Sequence, residues 1–307
     1  MSQSVTLMEV APRDGLQAES VQIPAEVKIE FVSRLLRSGV TNLEVTSFVH
    51  PHWVPQLGDA PEVFAATQAA WGNHPGVHLG VLVPNQRGLS NALTAGVEHA
   101  AVIVSCTETF AQKNLNTSRV DAVDAACDLL RHAQAQSQIC STRAYVSMVW
   151  GDPWEGKVSE EVVCETALAL KRAGADRIVL SDTIGIGTPD KTENLLTRLY
   201  NYGLQPDEIA LHMHNTYGQA LANILTAWRL GVTEFDSSAG GLGRCPFARG
   251  ATGNIATEEL VWMFDGMGVD TGIDLDHLIN TSLWMHKYVP DTPLPALISA
   301  YKAGIAD

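Results

Sequence analysis

His212 and His214 stand two residues apart at the end of the apolar run EIALHMH, just before the polar turn NTYG. On a helix such a pair points apart, whereas on a strand both rings project to one side. The run follows NYGLQPD, whose Gly, Pro and Asp stop a helix, so it reads as a strand with both imidazoles on one face. Such a pair can ligate a metal or can be packed core histidines satisfied by backbone groups. Other polar residues sit at the ends of apolar runs: Arg13 and Asp14 in EVAPRDGLQ, Glu44 and Thr46 in LEVTSF, Arg143, Tyr145 and Ser147 in TRAYVS, and Asp182 in LSDT. Cys245 and Asn254 lie in SSAGGLGRCPFARGATGN. Two imidazoles, the Asp14 carboxylate and an amide oxygen make a mixed nitrogen–oxygen set. It suits Mg2+, Mn2+ or another divalent ion with positions left open for substrate oxygens, rather than a closed thiolate site. Glu44 and Asp182 have two readings, direct catalysis or scaffold ion pairs to Arg13 or Arg143. Cys245 lies among glycines, in a stretch that reads as a loop closing over substrate, and its thiol is a functional candidate as thiolate or as acid.

These residues need a frame that brings distant segments to one rim, and the spacing of the chain supplies one. FVSRLLRSGVTNLEVTS, LTAGVEHAAVIVS, LALKRAGADRIVLSD and TAWRLGVTEFDSS each end a helix at Gly and enter a strand, with the glycines at 39, 96, 174 and 231. Helix starts are marked as well, by Ser159 before EEVV and by Thr188-Pro189-Asp190. Eight strands are predicted, near 5–10, 41–47, 77–82, 98–104, 142–148, 176–181, 207–213 and 233–237. Their apolar runs, separated by helices, predict an α/β fold of the (β/α)8 TIM-barrel type, with one or two short closing helices after about residue 270. An open doubly wound sheet is the alternative, but the first strand–helix junction carries no GxGxxG. No linker interrupts the chain, so residues 1–307 read as a single catalytic domain. In such a barrel the strands' C-terminal ends form the active-site rim, and the polar residues above all fall there. Strands 1 and 7 are separated only by strand 8, so Asp14 can converge with the two histidines.

The 34 acidic against 20 basic side chains give a net charge of −14, which argues against nucleic acid or an anionic membrane as partner. No apolar run approaches a membrane span and the N-terminus lacks a secretory pattern, so a cytoplasmic protein is expected. The five cysteines are odd in number and scattered, with no CxxC, which speaks for reduced thiols. All but Cys245 lie in apolar runs and are expected in the core.

EVAPRDGLQAE, LEVTSFVHPHWVPQLGD, LSDTIGIGTP, LHMHNTYGQALAN and GLGRCPFARGATGNIATEEL closely resemble the 3-hydroxy-3-methylglutaryl-CoA lyases, over roughly residues 5–275. The resemblance implies a TIM barrel with bound Mg2+ or Mn2+. The implied reaction is a retro-Claisen cleavage of an acyl-CoA substrate, hydroxymethylglutaryl-CoA, to acetyl-CoA and acetoacetate, the chemistry of leucine degradation and ketone-body metabolism. Matched motif by motif, it makes Asp14, His212, His214 and Asn254 the metal ligands and Arg13 the catalytic arginine. Cys245 becomes the loop cysteine, Glu44 and Asp182 the active-site carboxylates, and Asn114 in QKNLN a further polar position. His212 is also placed to shuttle protons, and Gln17 and Arg143 join Arg13 and Asn114 as candidate substrate contacts. A bacterial cytosolic homodimer is the expected form.

Two positions depart from the family pattern: Arg244 where GLGGCP is usual, and Asn215 where many members have Asp. Both bear on the acyl group, so a lyase for a related 3-hydroxy-3-alkyl diacid thioester is an alternative. A Claisen-type synthase of the same superfamily is another, though the long C-terminal regulatory region typical of those enzymes has no counterpart here. A non-catalytic acyl-CoA-binding barrel would lack a ligand or Arg13, and amidohydrolases carry HxH on their first strand.

Overall fold

The computed structural model describes residues 4–243 and 253–304. Eight parallel strands close on themselves in sequence order, with β1 paired to both β2 and β8. In chain order the elements are β1 (Thr6–Glu9), α1 (Ala25–Arg37), β2 (Asn42–Ser47), α2 (Ala60–Trp71), β3 (His78–Leu82), α3 (Gln86–Thr94), β4 (His99–Ser105), α4 (Glu108–Leu115) and α5 (Arg119–Gln134). They continue with β5 (Ser141–Ser147), α6 (Glu160–Arg172), β6 (Arg177–Asp182), α7 (Pro189–Asn201), β7 (Ile209–Met213), α8 (Ala220–Arg229), β8 (Glu234–Ser237) and α9 (Thr257–Gly266). α10 (Leu275–Met285) and α11 (Ala296–Lys302) follow the barrel. This is the expected TIM barrel with short closing helices. Strand 7 starts later than predicted because Pro206–Glu208 forms a 3-10 turn.

The apolar pattern explains the layers. Val27, Phe31 and Leu35 on α1 and Val163 and Ala167 on α6 are buried, and they belong to the large cluster between strands and helices. Inside the ring the apolar filling is small: Leu82, Ala101, Tyr145, Val179 and Ala210, with Ile103 against them. Charged and polar side chains occupy the rest of the interior. Gly39, Gly96, Gly174 and Gly231 have φ of +96°, +85°, +105° and +98°, the left-handed exits that their helix–Gly–strand spacing predicts. Ser159 accepts from the Glu161 N–H as a cap, whereas the Thr188 hydroxyl turns instead to the Asp190 carboxylate.

Two local irregularities escape the periodicity. The β2–β3 register shifts between Glu44 and Thr46, a bulge within the strand. After β1 the chain does not run straight on but winds Ala11–Gly15 into one π-turn, in which the Asp14 and Gly15 N–H groups both donate to Val10 O, at 2.8 and 3.2 Å. The cysteine expectation needs one correction. Cys106, Cys127 and Cys164 are buried, but Cys140 is exposed, because it lies in the turn that precedes β5. Among the described residues no helix is long and apolar enough to cross a membrane.

Candidate active site

The π-turn holds Arg13 and Asp14 over the end of β1. The turn is tied down by Glu9, the last residue of β1, which is fully buried. Its carboxylate accepts from the Ala11 N–H at 2.8 Å, the Ala239 N–H at 3.0 Å and the Thr257 hydroxyl at 2.7 Å. Burial pushes the Glu9 carboxyl up to about 7, against the pull of those three donors. Glu9 thus joins the exit of β1 to the segments that follow β8. Sequence reasoning passed over it, since its partners lie up to 248 residues away.

Arg13 is buried between two carboxylates. Its Nε donates to Glu44 Oε2 at 2.5 Å and its Nη1 to Asp14 Oδ1 at 2.6 Å, while Nη2 is engaged by neither. Burial alone would favour a neutral guanidine, but the charges of Glu44 and Asp14 outweigh it, so Arg13 stays protonated. Glu44 also faces the Tyr145 hydroxyl at 3.5 Å, and the Arg13 guanidinium lies 5.5 Å from the Tyr145 ring centre. Of the two readings of Glu44, this geometry gives it the ion pair to Arg13.

His212 on β7 and His214 just past its end are presented to the same point. Their Nε2 atoms are 3.3 Å apart, and His212 Nε2 is 3.9 Å from Asp14 Oδ2. Asn254, bridged to His214 across the backbone, donates Nδ2 to Asp14 Oδ2 at 2.7 Å and to Leu242 O at 3.1 Å. Burial favours a neutral Asp14, yet Arg13 and the two imidazoles hold its carboxyl well below the usual range. Burial and the neighbouring His212 bring His214 down to about 4, so it is a neutral imidazole with a lone pair to offer.

Among the described residues, one group of three or more His, Cys, Asp and Glu side chains converges closely enough to hold an ion: Asp14, His212 and His214. Asn254 Oδ1 is buried at the same place with no hydrogen-bond partner. An unpaired buried acceptor is costly, and a cation there would satisfy it. An ionised carboxylate, two imidazoles and an amide oxygen fit a divalent ion.

The remaining candidates are more dispersed. Asp182 is buried at the end of β6, where its oxygens accept from the Ile186 and Gly187 N–H groups at 3.0 and 2.8 Å, so it organises the β6–α7 turn. Burial raises its carboxyl to about 6 despite these bonds. Gln17 is half-buried just past the π-turn, and Asn114 is exposed on the last turn of α4. Arg143 lies deeper than the rim, with Nη2 committed to Asp236 Oδ1 at 2.5 Å and Glu234 Oε1 at 3.2 Å. Asn215 shapes the turn after β7, its Oδ1 accepting from the Ala220 N–H at 3.3 Å. Arg244 and Cys245 lie outside the described residues. Besides Glu9, a second group went unread in the sequence: Asp236 of β8, fully buried, whose Oδ2 meets His212 Nδ1 at 3.1 Å. Its signal was available, because β8 neighbours β7 and a carboxylate inside a four-residue strand needs a partner.

The HMGL-like family model matches residues 4–284 of the chain. The cytoplasmic 3-hydroxy-3-methylglutaryl-CoA lyase of Rattus norvegicus is 41% identical over 94% of this chain and 82% of its own. A crystal structure of the Bacillus subtilis HMG-CoA lyase superposes with a TM-score of 0.92 at 41% identity, covering 98% of both chains. An HMG-CoA lyase from Acinetobacter baumannii, in complex with coenzyme A and 3-methylmalate, gives 0.89 at 32% identity over 99% of this chain and 96% of its own.

Proposed function

The chain belongs to the HMGL-like family of carbon–carbon lyases, and on that premise we propose that it cleaves 3-hydroxy-3-methylglutaryl-CoA to acetyl-CoA and acetoacetate in a divalent-metal-dependent retro-Claisen reaction. The observation that carries the reading is the convergence of Asp14, His212 and His214 with the unpaired Oδ1 of Asn254, beside a protonated Arg13.

These four residues would hold the ion, with Mg2+ or Mn2+ as the physiological metal, since two of the ligands offer oxygen and two a borderline imidazole nitrogen. When bound, the ion supplies Lewis-acid chemistry that lowers the pKa of the substrate's tertiary hydroxyl. The chain's own residues supply the rest. Arg13, clamped by Glu44 and Asp14, presents the Nη2 that neither carboxylate engages to the thioester oxygen, where charge develops as the carbon–carbon bond breaks. Glu44 and Tyr145 fix the height of that guanidinium above the barrel floor. His212 has Nδ1 on Asp236, so Nε2 is its one nitrogen for duty at the rim, and it cannot ligate and carry a proton at the same moment. Cys245, on the glycine-rich segment after β8, protonates the enolate carbon or shields it from water. Asp182 acts by shaping the turn after β6, and Gln17 and Asn114 are proposed substrate contacts at the rim. The single domain works as a homodimer in the cytoplasm.

The test uses purified protein stripped with a chelator and reloaded with Mg2+ or Mn2+. Acetoacetate and acetyl-CoA should form from hydroxymethylglutaryl-CoA only after reloading. The 3-methylmalate bound to the Acinetobacter relative makes the corresponding 3-methylmalyl thioester the right competitor substrate. Turnover of that thioester and not of hydroxymethylglutaryl-CoA would move the acyl specificity and leave the lyase chemistry standing. Full activity in metal-free protein would overturn the metal dependence.

A further inference from the structure

Beneath the rim, the barrel interior carries a continuous chain of alternating charges. Arg177 Nε donates to Glu234 Oε2 at 2.7 Å, and Glu234 Oε1 faces Arg143 Nη2 at 3.2 Å. The same Nη2 donates to Asp236 Oδ1 at 2.5 Å, and Asp236 Oδ2 meets His212 Nδ1 at 3.1 Å. Strand register builds this line. Ala210 pairs with Glu234 and His212 with Asp236 across β7 and β8, so the two carboxylates share the face that carries His212. Arg143 pairs with Arg177 across β5 and β6, and it reaches over the lumen because β5 does not neighbour β8. The Tyr145 ring lies 5.5 Å from the Arg143 guanidinium and 5.9 Å from the His212 ring, edge to face, which walls the line on one side.

The chemistry of the contact decides which nitrogen of His212 carries hydrogen. Asp236 is buried beside the Arg143 guanidinium, and an ionised carboxylate only accepts. The hydrogen in the 3.1 Å contact therefore belongs to Nδ1, and Nε2 is the nitrogen aimed toward Asp14 and His214. We propose that Arg143 and Asp236 form a positioning device for the metal centre: Asp236 fixes the ring of His212 and keeps a hydrogen on Nδ1, so that Nε2 is the nitrogen presented to the ion, and Arg143 locks Asp236 in place instead of touching substrate. The proposal rests on the metal-dependent reading only for the identity of what Nε2 meets. Partners of this kind behind a ligating histidine typically change metal affinity about 10–100-fold.

Asp236→Asn is the discriminating variant. Its single side-chain oxygen is claimed by Arg143, so its amide NH2 faces His212 Nδ1 and drives the hydrogen to Nε2. Nitrogen-15 NMR of the histidines in metal-free protein, at a pH where His212 is neutral, should show its hydrogen on Nδ1 in the wild type and on Nε2 in Asp236→Asn. Calorimetric titration with Mn2+ should give a dissociation constant about 10–100-fold weaker in the variant. Arg143→Lys keeps the charge and is the fallback if Asp236→Asn does not fold, as judged by circular dichroism. It should weaken Mn2+ binding to a smaller degree and lower kcat while leaving KM for the thioester unchanged. An unaltered His212 tautomer in Asp236→Asn, or an Arg143→Lys variant with raised KM and unchanged Mn2+ affinity, would overturn the proposal. Neither the NMR nor the titration needs a substrate. Wild type that binds Mn2+ yet cleaves no thioester would sink the lyase reading alone.

Discussion

In the proposed reaction Arg13 meets the developing charge, and its two ion pairs give its removal a distinct signature. Arg13→Met should lower kcat by about 10²–10³ with little change in KM, the usual loss for one donor at a developing oxyanion. Steady-state kinetics on metal-saturated variant would show it, and a change confined to KM would make Arg13 a ground-state contact. Glu258 gives a different residue-scale expectation. Fully buried, it accepts from the Gly240 N–H and the Ser282 hydroxyl, and burial raises its carboxyl to about 7 from 4.5. A raised carboxyl means the folded protein holds its proton more tightly than the unfolded chain. Stability is therefore retained below about 4.5 and falls as pH climbs toward 7, by up to about 3 kcal/mol. Glu258→Gln should flatten that slope, so the gap between wild type and variant in urea titrations should change between pH 4.5 and 7. An identical slope in both proteins would mean that Glu258 ionises normally. Buried carboxylates of this sort were the least legible residues in the sequence. Glu9, Asp236 and Glu258 drew no reading of their own, because what stabilises them is contributed by segments far along the chain.

At the level of elements the sequence was far more open. Apolar strand runs, helix-ending glycines and the Ser159 cap report on their own neighbourhoods, and the strands appear within a few residues of where they were expected. The π-turn at Ala11–Gly15 and the bulge after Glu44 were hidden for the opposite reason: each is imposed by what packs around it, Glu9 beneath the turn and the β3 register beside the bulge. These two hidden features set the height of Asp14 and Glu44. The legible glycines are not equivalent either. A Cβ on Gly39 would stand 2.2 Å from Gly272 O, whereas one on Gly96 would meet nothing within 4 Å, though both have positive φ. Backbone strain alone costs about 1–2 kcal/mol at such a position. Gly96→Ala should lose about that much, and Gly39→Ala distinctly more, because the Gly272–Ile273 backbone that leads into α10 must also give way. Thermal melts of the pair would decide it; equal losses would mean that the Gly272 segment moves aside freely.

For the whole molecule, an ion that binds only the closed ring should act as a staple. Mn2+ at 100 times its dissociation constant should stabilise the protein by about 2.7 kcal/mol. His214→Ala should lose most of this gain in melting temperature; a gain that survives would place the ion elsewhere. The seam between β1 and β8 carries a further consequence. Asp14 and Asn254, 240 residues apart, meet at 2.7 Å, and Glu9 meets Thr257 across the same seam. During synthesis the first strand thus leaves the ribosome early and waits, edge exposed, until the last strand arrives. Half-made chains own an Asp14 but neither His212, His214 nor Asn254 to meet it, so the proposed ion site is complete only once the last strand closes on the first.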